Sequence, residues 1–468
     1  MGIKTSNLGL RRRMRESLSD AFMRSSIANA QDRINPMRAD CCAELDRYEQ
    51  WRELAAGIRA HTLENLDFYL GQFAGNARRA GSVVHFARDG REAAAVARTV
   101  FLQKKARRGV KSKSMVTEEI GLNEALEEIG VQILETDLGE YLLQIDGRDK
   151  PSHIVIPALH KNRERIREVL AGQTGYTGDS APESMTRHVR QILRKAFLEA
   201  DVGVTGCNFA VASSGSVALL TNEGNGRFVS GIPETLITFV GMERVVPELG
   251  DLDALCSLLP RSAVGARSTI YMTLTTGPQG AADVDGPGEH HIVLVDNGRS
   301  AVLGSRFRDV LRCIRCGACM LVCPAYRHVG GRGYGVLYPG PLGLALVPAM
   351  TGYAESGDLA GICSLCGACN DVCPVKIPLY ELILEHRRAM AEDARRTGRV
   401  ERLAFGQYGR ILGNPGLYAA ATRWARLANA APRIGPLGAW SRSRELPRIP
   451  GERFRDWFAR RRKEGRMD

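Results

Sequence analysis

The residues best suited to chemistry are cysteines. The 468-residue chain has twelve, and eight of them lie in two short runs. The first run is Cys313, Cys316, Cys319 and Cys323, followed by Pro324. The second is Cys363, Cys366, Cys369 and Cys373, followed by Pro374. Each reads C-x2-C-x2-C-x3-C-P, the bacterial spacing for a [4Fe–4S] cluster. Thiolates are soft anions and suit iron–sulfur clusters, which spread charge over several metals. Two residues between successive ligands let three thiolates of one loop reach three corners of a cube, with Gly317 and Gly367 placed where the backbone must turn around it. The fourth cysteine crosses to the other cluster in two-cluster chains. The expected cofactors are therefore two [4Fe–4S] clusters. The expected ligand sets are Cys313, Cys316, Cys319 with Cys373, and Cys363, Cys366, Cys369 with Cys323. Structural zinc sites pair two C-x2-C knuckles across a spacer instead.

Four regions must position these thiols. Residues 1–70 read as a helical arm, with Leu10, Met14, Leu18 and Phe22, then Leu45, Tyr48, Trp51, Leu54 and Ile58, at helical spacing. Such an arm either packs on its own domain or binds a partner. Residues 71–300 alternate helical stretches (Arg91–Lys105, Thr186–Ala200) with short apolar runs. Strands are expected at Ser82–Phe86, Val131–Glu135, Ile154–Ile156, Phe209–Ala212, Ser216–Leu220, Ile270–Leu274 and Ile292–Val295. That alternation predicts an α/β domain around a mostly parallel sheet. Residues 301–390 carry the cysteine runs. Their long connection, Ala325–Ile362, predicts a loop and then a helix over Leu342–Met350, and flanking helices are expected at Phe307–Leu311 and Leu379–Met390. A helical cluster domain follows from this. Residues 391–468 are basic and read as helical, interrupted at Gly413–Gly416 and at Pro432–Pro450.

The composition is that of a globular protein, 44% apolar and 25% charged. No apolar run reaches the length of a membrane span. Arg11-Arg12-Arg13 is followed by no hydrophobic stretch, so no secretory leader is expected. A cytoplasmic setting disfavours disulfides. The net charge of +12 has no helix-turn-helix or zinc-finger frame around it, so a solvated surface or an acidic or anionic docking partner is favoured over nucleic acid.

Asp201–Asn208 and Thr221–Arg227 are glycine-rich and read as turns, or as loops that hold an anionic ligand at strand ends. No G-x-G-x-x-G opens a helix after a strand, so the usual nicotinamide or flavin fingerprint is missing. His290 and His291 head a strand and point to opposite faces, which argues against a shared metal. Cys41, Cys42, Cys207 and Cys256 read as ordinary structural thiols.

The two cysteine runs combined with particular α/β motifs resemble the lactate utilization protein B family. The motifs are Ala30–Arg33, Lys113–Glu119, Thr205–Asn208, Thr221–Arg227, His291–Arg299 and Phe454–Phe458. The resemblance implies a LUD domain related in fold to ribose-5-phosphate isomerases and CoA-transferases, followed by an α-helical dicluster ferredoxin. It implies the iron–sulfur subunit of a complex that oxidises L-lactate to pyruvate. The implied partners are a cysteine-rich-domain subunit and a second LUD-domain subunit. The implied location is the cytoplasm, or the inner face of the membrane with quinone as acceptor. It carries over no catalytic residue.

Two other functions remain open on the sequence. One is a self-contained 2-hydroxy-acid or amino-acid dehydrogenase with its substrate site in the LUD domain. The other is an assembly module whose clusters only hold structure. Anaerobically purified protein is expected to contain about eight irons and as many acid-labile sulfides per chain; zinc, or no iron, in elemental analysis would refute the cluster assignment.

Overall fold

The computed structural model describes residues 2–393, 398–425 and 448–464. The chain divides into two compact units, Met1–Arg388 and Ala389–Asp468.

The first unit is built on a six-stranded sheet. Its strands come from β1 (Val83–Ala87), β2 (Arg108–Lys111), β3 (Gln132–Glu135), β4 (Val202–Thr205), β7 (Thr235–Gly241) and β10 (Glu289–Val295). The order is β1-β10-β7-β4-β2-β3, and every pairing is parallel. Helices cover both faces, as an all-parallel sheet requires. Val293 and Val295 face one core with Phe101, Leu122 and Phe239, while Ile292 and Leu294 face the other with Phe73, Ala74 and Val84. The two-residue period of strand side chains produces this division.

A second, mixed sheet orders β8-β5-β6-β9, using β5 (Phe209–Val211), β6 (Ser216–Thr221), β8 (Val245–Val246) and β9 (Tyr271–Thr275). The single mostly parallel sheet expected from the sequence is thus two sheets. The antiparallel β5–β6 and β6–β9 pairs form the extra layer.

Four strands escape the apolar-run criterion; β8 is only two residues long, and the other three escape for identifiable reasons. In β7, Thr235 and Thr238 interrupt the run, yet Thr238 is buried with its hydroxyl 3.0 Å from both Thr205 Oγ1 and His290 Nε2. In β2, the buried Lys111 is paired with Glu118 and Glu135 at 2.7 Å each. In β4, Gly203 belongs to a strand and not to a turn. A Cβ there would lie 2.1 Å from the Val229 carbonyl oxygen, so glycine lets the helix Asn225–Gly231 close onto the sheet. That helix also takes up the last three residues, Asn225–Arg227, of the expected Thr221–Arg227 loop.

The expected strand at Ile154–Ile156 is absent. His153 Nδ1 accepts hydrogen bonds from the backbone N–H groups of Val155 (3.0 Å) and Ile156 (3.1 Å), which folds the segment into a bend. Nor does the connection between the cysteine runs begin as a loop. It opens with the helical segment Pro324–Tyr334, started by Pro324 at its first position and kinked at Gly330 (φ 57°), and continues with the apolar helix Gly340–Thr351. Arg308–Arg312 is a short 3₁₀ turn, and Leu379–Glu392 is helical.

The N-terminal helices pack onto the cysteine region. In helix Ala21–Ala43, Gln31 Nε2 donates to the carbonyls of Met320 (2.9 Å) and Cys323 (3.3 Å), and Asn35 donates to that of Leu321 (2.7 Å). Asp32 receives a two-pronged bond from Arg327, both contacts 2.8 Å. In helix Tyr48–Glu64, Arg52 donates to the Cys373 carbonyl at 2.9 and 3.1 Å. Residues 1–70 therefore act on this chain's own cysteine loops. Helix Leu66–Arg79 runs through the 70/71 boundary and packs on β1.

In the second unit, the described residues form helices Arg399–Gly413, Pro415–Trp424 and Phe454–Lys463. The first two pack together and leave Leu403, Phe405 and Trp424 exposed. The proline-rich stretch 432–450 falls outside the described residues up to position 447.

The buried His290 lies between Ser82 Oγ (3.1 Å) and Thr238 Oγ1 (3.0 Å). Burial, assisted by His291, lowers its pKa from 6.5 to about 4. Between those values the unfolded chain binds more protons than the folded one, so stability falls on acidification through that window. A parent-minus-variant comparison by urea unfolding should show His290→Gln losing about 2 kcal/mol less than the parent between pH 7 and pH 5.

Candidate functional site

The parallel sheet points its carboxyl ends at the cysteine runs, the edge where open α/β sheets place ligands. Three of the motifs singled out in the sequence leave it there: Ser112–Met115 after β2, Gly206–Asn208 after β4, and Asp296–Arg299 after β10. Met242–Arg244 follows β7 at the same edge.

The two cysteine runs fold as backbone copies. Arg315 and Leu365 both adopt left-handed φ, 61° and 57°, and Gly317 and Gly367 follow at 80° and 81°. Only glycine takes this conformation without strain, and a bulky residue there marks a constrained loop. The constraint turns backbone N–H groups onto sulfur. Arg315 N lies 3.3 Å from Cys313 Sγ, and Leu365 N lies 3.3 Å from Cys363 Sγ. The fourth cysteines are similarly served, by Tyr326 N on Cys323 (3.4 Å) and Ile377 N on Cys373 (3.3 Å). Such bonds stabilise thiolate charge and help set cluster potentials.

The thiols influence one another across the runs. Burial, then repulsion from Cys313 and Cys373, pushes Cys316 up to about 12. Cys319 is raised by burial and by Cys313, Cys316, Cys369 and Cys373. On the other side, burial with Cys363, Cys323 and Cys366 pushes Cys369 up to about 12. Cys323 is raised by burial and by Cys363, and Cys373, at about 11, by burial and by Cys313. The fourth thiol of the first run thus neighbours Cys363 and Cys369 of the second, and Cys373 neighbours Cys313, Cys316 and Cys319 of the first. The short helices Ala318–Leu321 and Ala368–Asp371 pack together between them.

All twelve cysteines are free thiols. Crowded, buried sulfurs retain protons until a cation compensates their charge, and metal binding releases those protons. The donor set therefore fits iron–sulfur chemistry. Among the described residues no three His, Cys, Asp or Glu side chains converge on a single-ion site. A cubane takes one thiolate at each of four separated irons and does not require such convergence.

The remaining cysteines stand apart from these groups. Cys41 and Cys42 are buried, and Arg261 bonds the Cys41 carbonyl (2.6 Å) and sulfur (3.3 Å). Cys207 donates to the Phe209 carbonyl at 2.8 Å, and burial pushes its thiol up to about 12. Cys256 lies 3.9 Å from Met272 Sδ. His291 lies 3.1 Å from His85, across the strand from His290, so the two neighbouring imidazoles serve opposite faces.

A buried ionic hub joins the sheet to the first run. Arg299 binds Glu119 with two bonds (2.8 and 2.9 Å) and Glu243 with a third (2.5 Å). Tyr338 Oη and Asn297 Nδ2 also donate to Glu119, at 2.5 and 2.6 Å. Arg244 and Arg315 each approach Glu243 at 3.5 Å. Arg244 additionally donates to the Cys313 carbonyl at 3.0 Å. Arg59 donates to the carbonyls of Glu243, Val245 (2.8 Å) and Leu311 (3.2 Å). Burial opposes ionisation of both carboxyls, but the arginines prevail. Glu119 is held below the carboxylate range and Glu243 falls to about 2. The hub is invisible to spacing, because its members lie far apart, Glu119 and Tyr338 by 219 residues. Glu119, Asn297 and Arg299 fall inside motifs singled out in the sequence, and Arg315 inside the first cysteine run, but nothing there signalled that they meet.

A cavity of about 320 Å³ adjoins the hub. It is lined by Ser112–Val116, Gly206–Asn208 and Leu219–Glu223 from the α/β side, and by Ile314, Arg315, Cys316 and Tyr338 from the cysteine side. The glycine-rich loops of the sequence thus reach a real cavity.

Removing one member of the hub leaves a buried charge uncompensated, which costs about 3–5 kcal/mol. Arg299→Met should lower unfolding free energy by that amount in urea titrations; a loss below about 1 kcal/mol would show the hub to be energetically idle.

Comparisons with known proteins agree along the whole chain. Three family models match: LUD domain over residues 70–295, 4Fe-4S dicluster domain over 309–377, and Lactate utilisation protein B, C-terminal over 383–463. The chain accordingly has two [4Fe–4S] clusters as its cofactors. It is 50% identical over 476 residues to Lactate utilization protein B of Shouchella clausii (strain KSM-K16), covering 100% of both chains. It is 49% identical to that of Bacillus subtilis (strain 168), covering 98% of each. It is also 51% identical to the uncharacterized electron transport protein YkgF of Escherichia coli (strain K12), covering 98% of each. Among solved structures, a DUF162 family protein from Deinococcus radiodurans aligns with 49% of this chain and 98% of its own, at 15% identity and a TM-score of 0.28. With full-length relatives at half identity, the chain belongs to the lactate utilization protein B family.

Proposed function

We propose that this protein is the iron–sulfur electron-transfer subunit of a complex that oxidises L-lactate to pyruvate. The names of its full-length relatives, lactate utilization and electron transport, support that reading, as does the dicluster match. The proposed ligands are Cys313, Cys316, Cys319 and Cys373 for one cluster, and Cys363, Cys366, Cys369 and Cys323 for the other. The single observation that carries this is the pair of matching cysteine loops, alike in left-handed backbone at Arg315 and Leu365 and in N–H bonds to Cys313 and Cys363, whose short helices pack together. Bound clusters supply one-electron steps at two adjacent sites, which suits a reaction releasing two electrons and two protons from the hydroxy acid.

The chain's own residues hold the relay. Arg52 and Gln31 fix the carbonyls of the fourth cysteines, Cys373 and Cys323. Arg244 fixes that of Cys313, and Arg387 fixes that of Cys363. We assign residues 1–70 to a helical cap, 71–300 to a LUD domain of the ribose-5-phosphate isomerase and CoA-transferase type, 301–390 to a helical ferredoxin, and 391–468 to a basic helical tail. The partners we propose are a cysteine-rich-domain subunit and a second LUD-domain subunit. The proposed location is cytoplasmic or peripheral to the inner membrane face, with quinone-linked transfer onward. Among the described residues no helix is long and apolar enough to cross a membrane. The cavity beside Cys316 favours a second reading, a dehydrogenase with its own substrate site. Dye reduction by lactate with the isolated subunit would select it.

Serine variants test the ligand sets. The EPR spectrum of reduced Cys373→Ser should match that of Cys316→Ser, and Cys323→Ser should match Cys366→Ser. Matching within each run instead, Cys323→Ser with Cys316→Ser, would refute the crossing.

A further inference from the structure

The cavity at the carboxyl edge of the sheet contains buried polar atoms that the protein leaves without partners. Ser112 is 2% exposed, and its Oγ makes no hydrogen bond. Arg315 Nη1 is likewise buried and unpartnered. Both residues line the same cavity. Buried polar groups are nearly always satisfied, so two orphans in one cavity ask for a ligand.

The guanidinium of Arg315 is already fixed in place. It lies 4.3 Å over the Tyr338 ring, and its Nη2 is 3.5 Å from Glu243. The Nη1 edge is what remains. Lys113 Nζ donates to the Val155 carbonyl at 3.0 Å, and an ammonium has further protons to offer. Arg244 adds a third cation to the lining, and two carboxylates, Asp137 and Glu223, face them. Asp137 is engaged by the backbone N–H groups of Gly139 (3.0 Å) and Glu140 (3.2 Å). Burial, then Asp137, raises the pKa of Glu223. The uncommitted donors therefore favour an anion, and a planar guanidinium edge matches a carboxylate. A volume of about 320 Å³ lies at the small end of ligand pockets.

We propose that this cavity binds a short-chain 2-hydroxy or 2-oxo acid, its carboxylate on Arg315 and Ser112 with Lys113 alongside, directly beside Cys316. The carboxylate follows from the cavity alone, while the 2-hydroxy or 2-oxo class rests on the lactate reading above. That places an acid site on this subunit, against the cysteine loop.

The full-length protein with both clusters loaded is to be titrated anaerobically with L-lactate, pyruvate and inorganic phosphate by calorimetry. EPR spectra of the reduced protein are to be recorded with and without each. Saturable binding of lactate or pyruvate is expected, with a changed line shape of one cluster. Arg315→Gln should weaken binding at least tenfold. Lys113→Gln and Ser112→Ala, checked for unchanged iron content, should weaken it several-fold, so a folding defect in Arg315→Gln does not decide the matter. No binding of either acid, parent-like binding by both milder variants, or phosphate binding as tightly as the acids would each overturn the proposal. An intact two-cluster spectrum with no acid binding would overturn this site alone and leave the relay standing.

Discussion

The architecture depends on a buried carboxylate, Glu243, and the arginines gathered on it. They come from four places: Arg299 beyond β10, Arg244 beside it and Arg315 in the first cysteine run approach the carboxylate, while Arg59 in the N-terminal helix Tyr48–Glu64 holds the backbone carbonyl of the same residue. With Glu119 the hub has two carboxylates against four guanidiniums. Burying such charges is tolerable only when each is paired and hydrogen-bonded. The surplus is positive and borders Cys313, where thiolates and iron–sulfur clusters concentrate negative charge. Sheet, cap and first run thus share one electrostatic unit, and none is correctly placed without the others.

The second run lacks this setting. Its backbone repeats that of the first, but Leu365 stands where Arg315 stands, and Cys366 is exposed where Cys316 is buried. Net charge, hydrogen bonds to sulfur and solvent exposure govern cluster potentials. The N–H to sulfur bonds are alike in the two runs, so charge and exposure differentiate them. Identical cysteine spacing therefore supports two electrically distinct sites, the first against the α/β domain and the second with one cysteine, Cys366, exposed.

Much of this was legible in the sequence where chemistry is local. Cysteine spacing identified the cofactors, and alternating helices with apolar runs identified the α/β class and most of its strands. Two of the strands that escaped, β7 and β2, have polar residues that are satisfied only in three dimensions. Thr238 needs Thr205 and His290, and Lys111 needs Glu118 and Glu135. The opposite error occurred at Ile154–Ile156, where apolar residues form a bend because His153 captures their N–H groups. The glycine-rich stretches, read as turns or as ligand loops, divide between strand and cavity. Gly203 serves close packing within a strand, whereas Gly206–Asn208 lines the cavity. The ionic hub left no pattern, since one-dimensional spacing cannot express convergence from four distant segments.

The N-terminal cap has a further consequence during synthesis. Arg52 leaves the ribosome long before its acceptor at Cys373, which lies 321 residues downstream. At bacterial elongation rates of about 5–20 residues per second, that interval lasts roughly 15–60 s. Arg59 waits 186 residues for the Val245 carbonyl and Gln31 waits 289 for that of Met320. The first part of the protein to be made is thus among the last to find its place, and the nascent chain must wait, unassembled, for its cysteines.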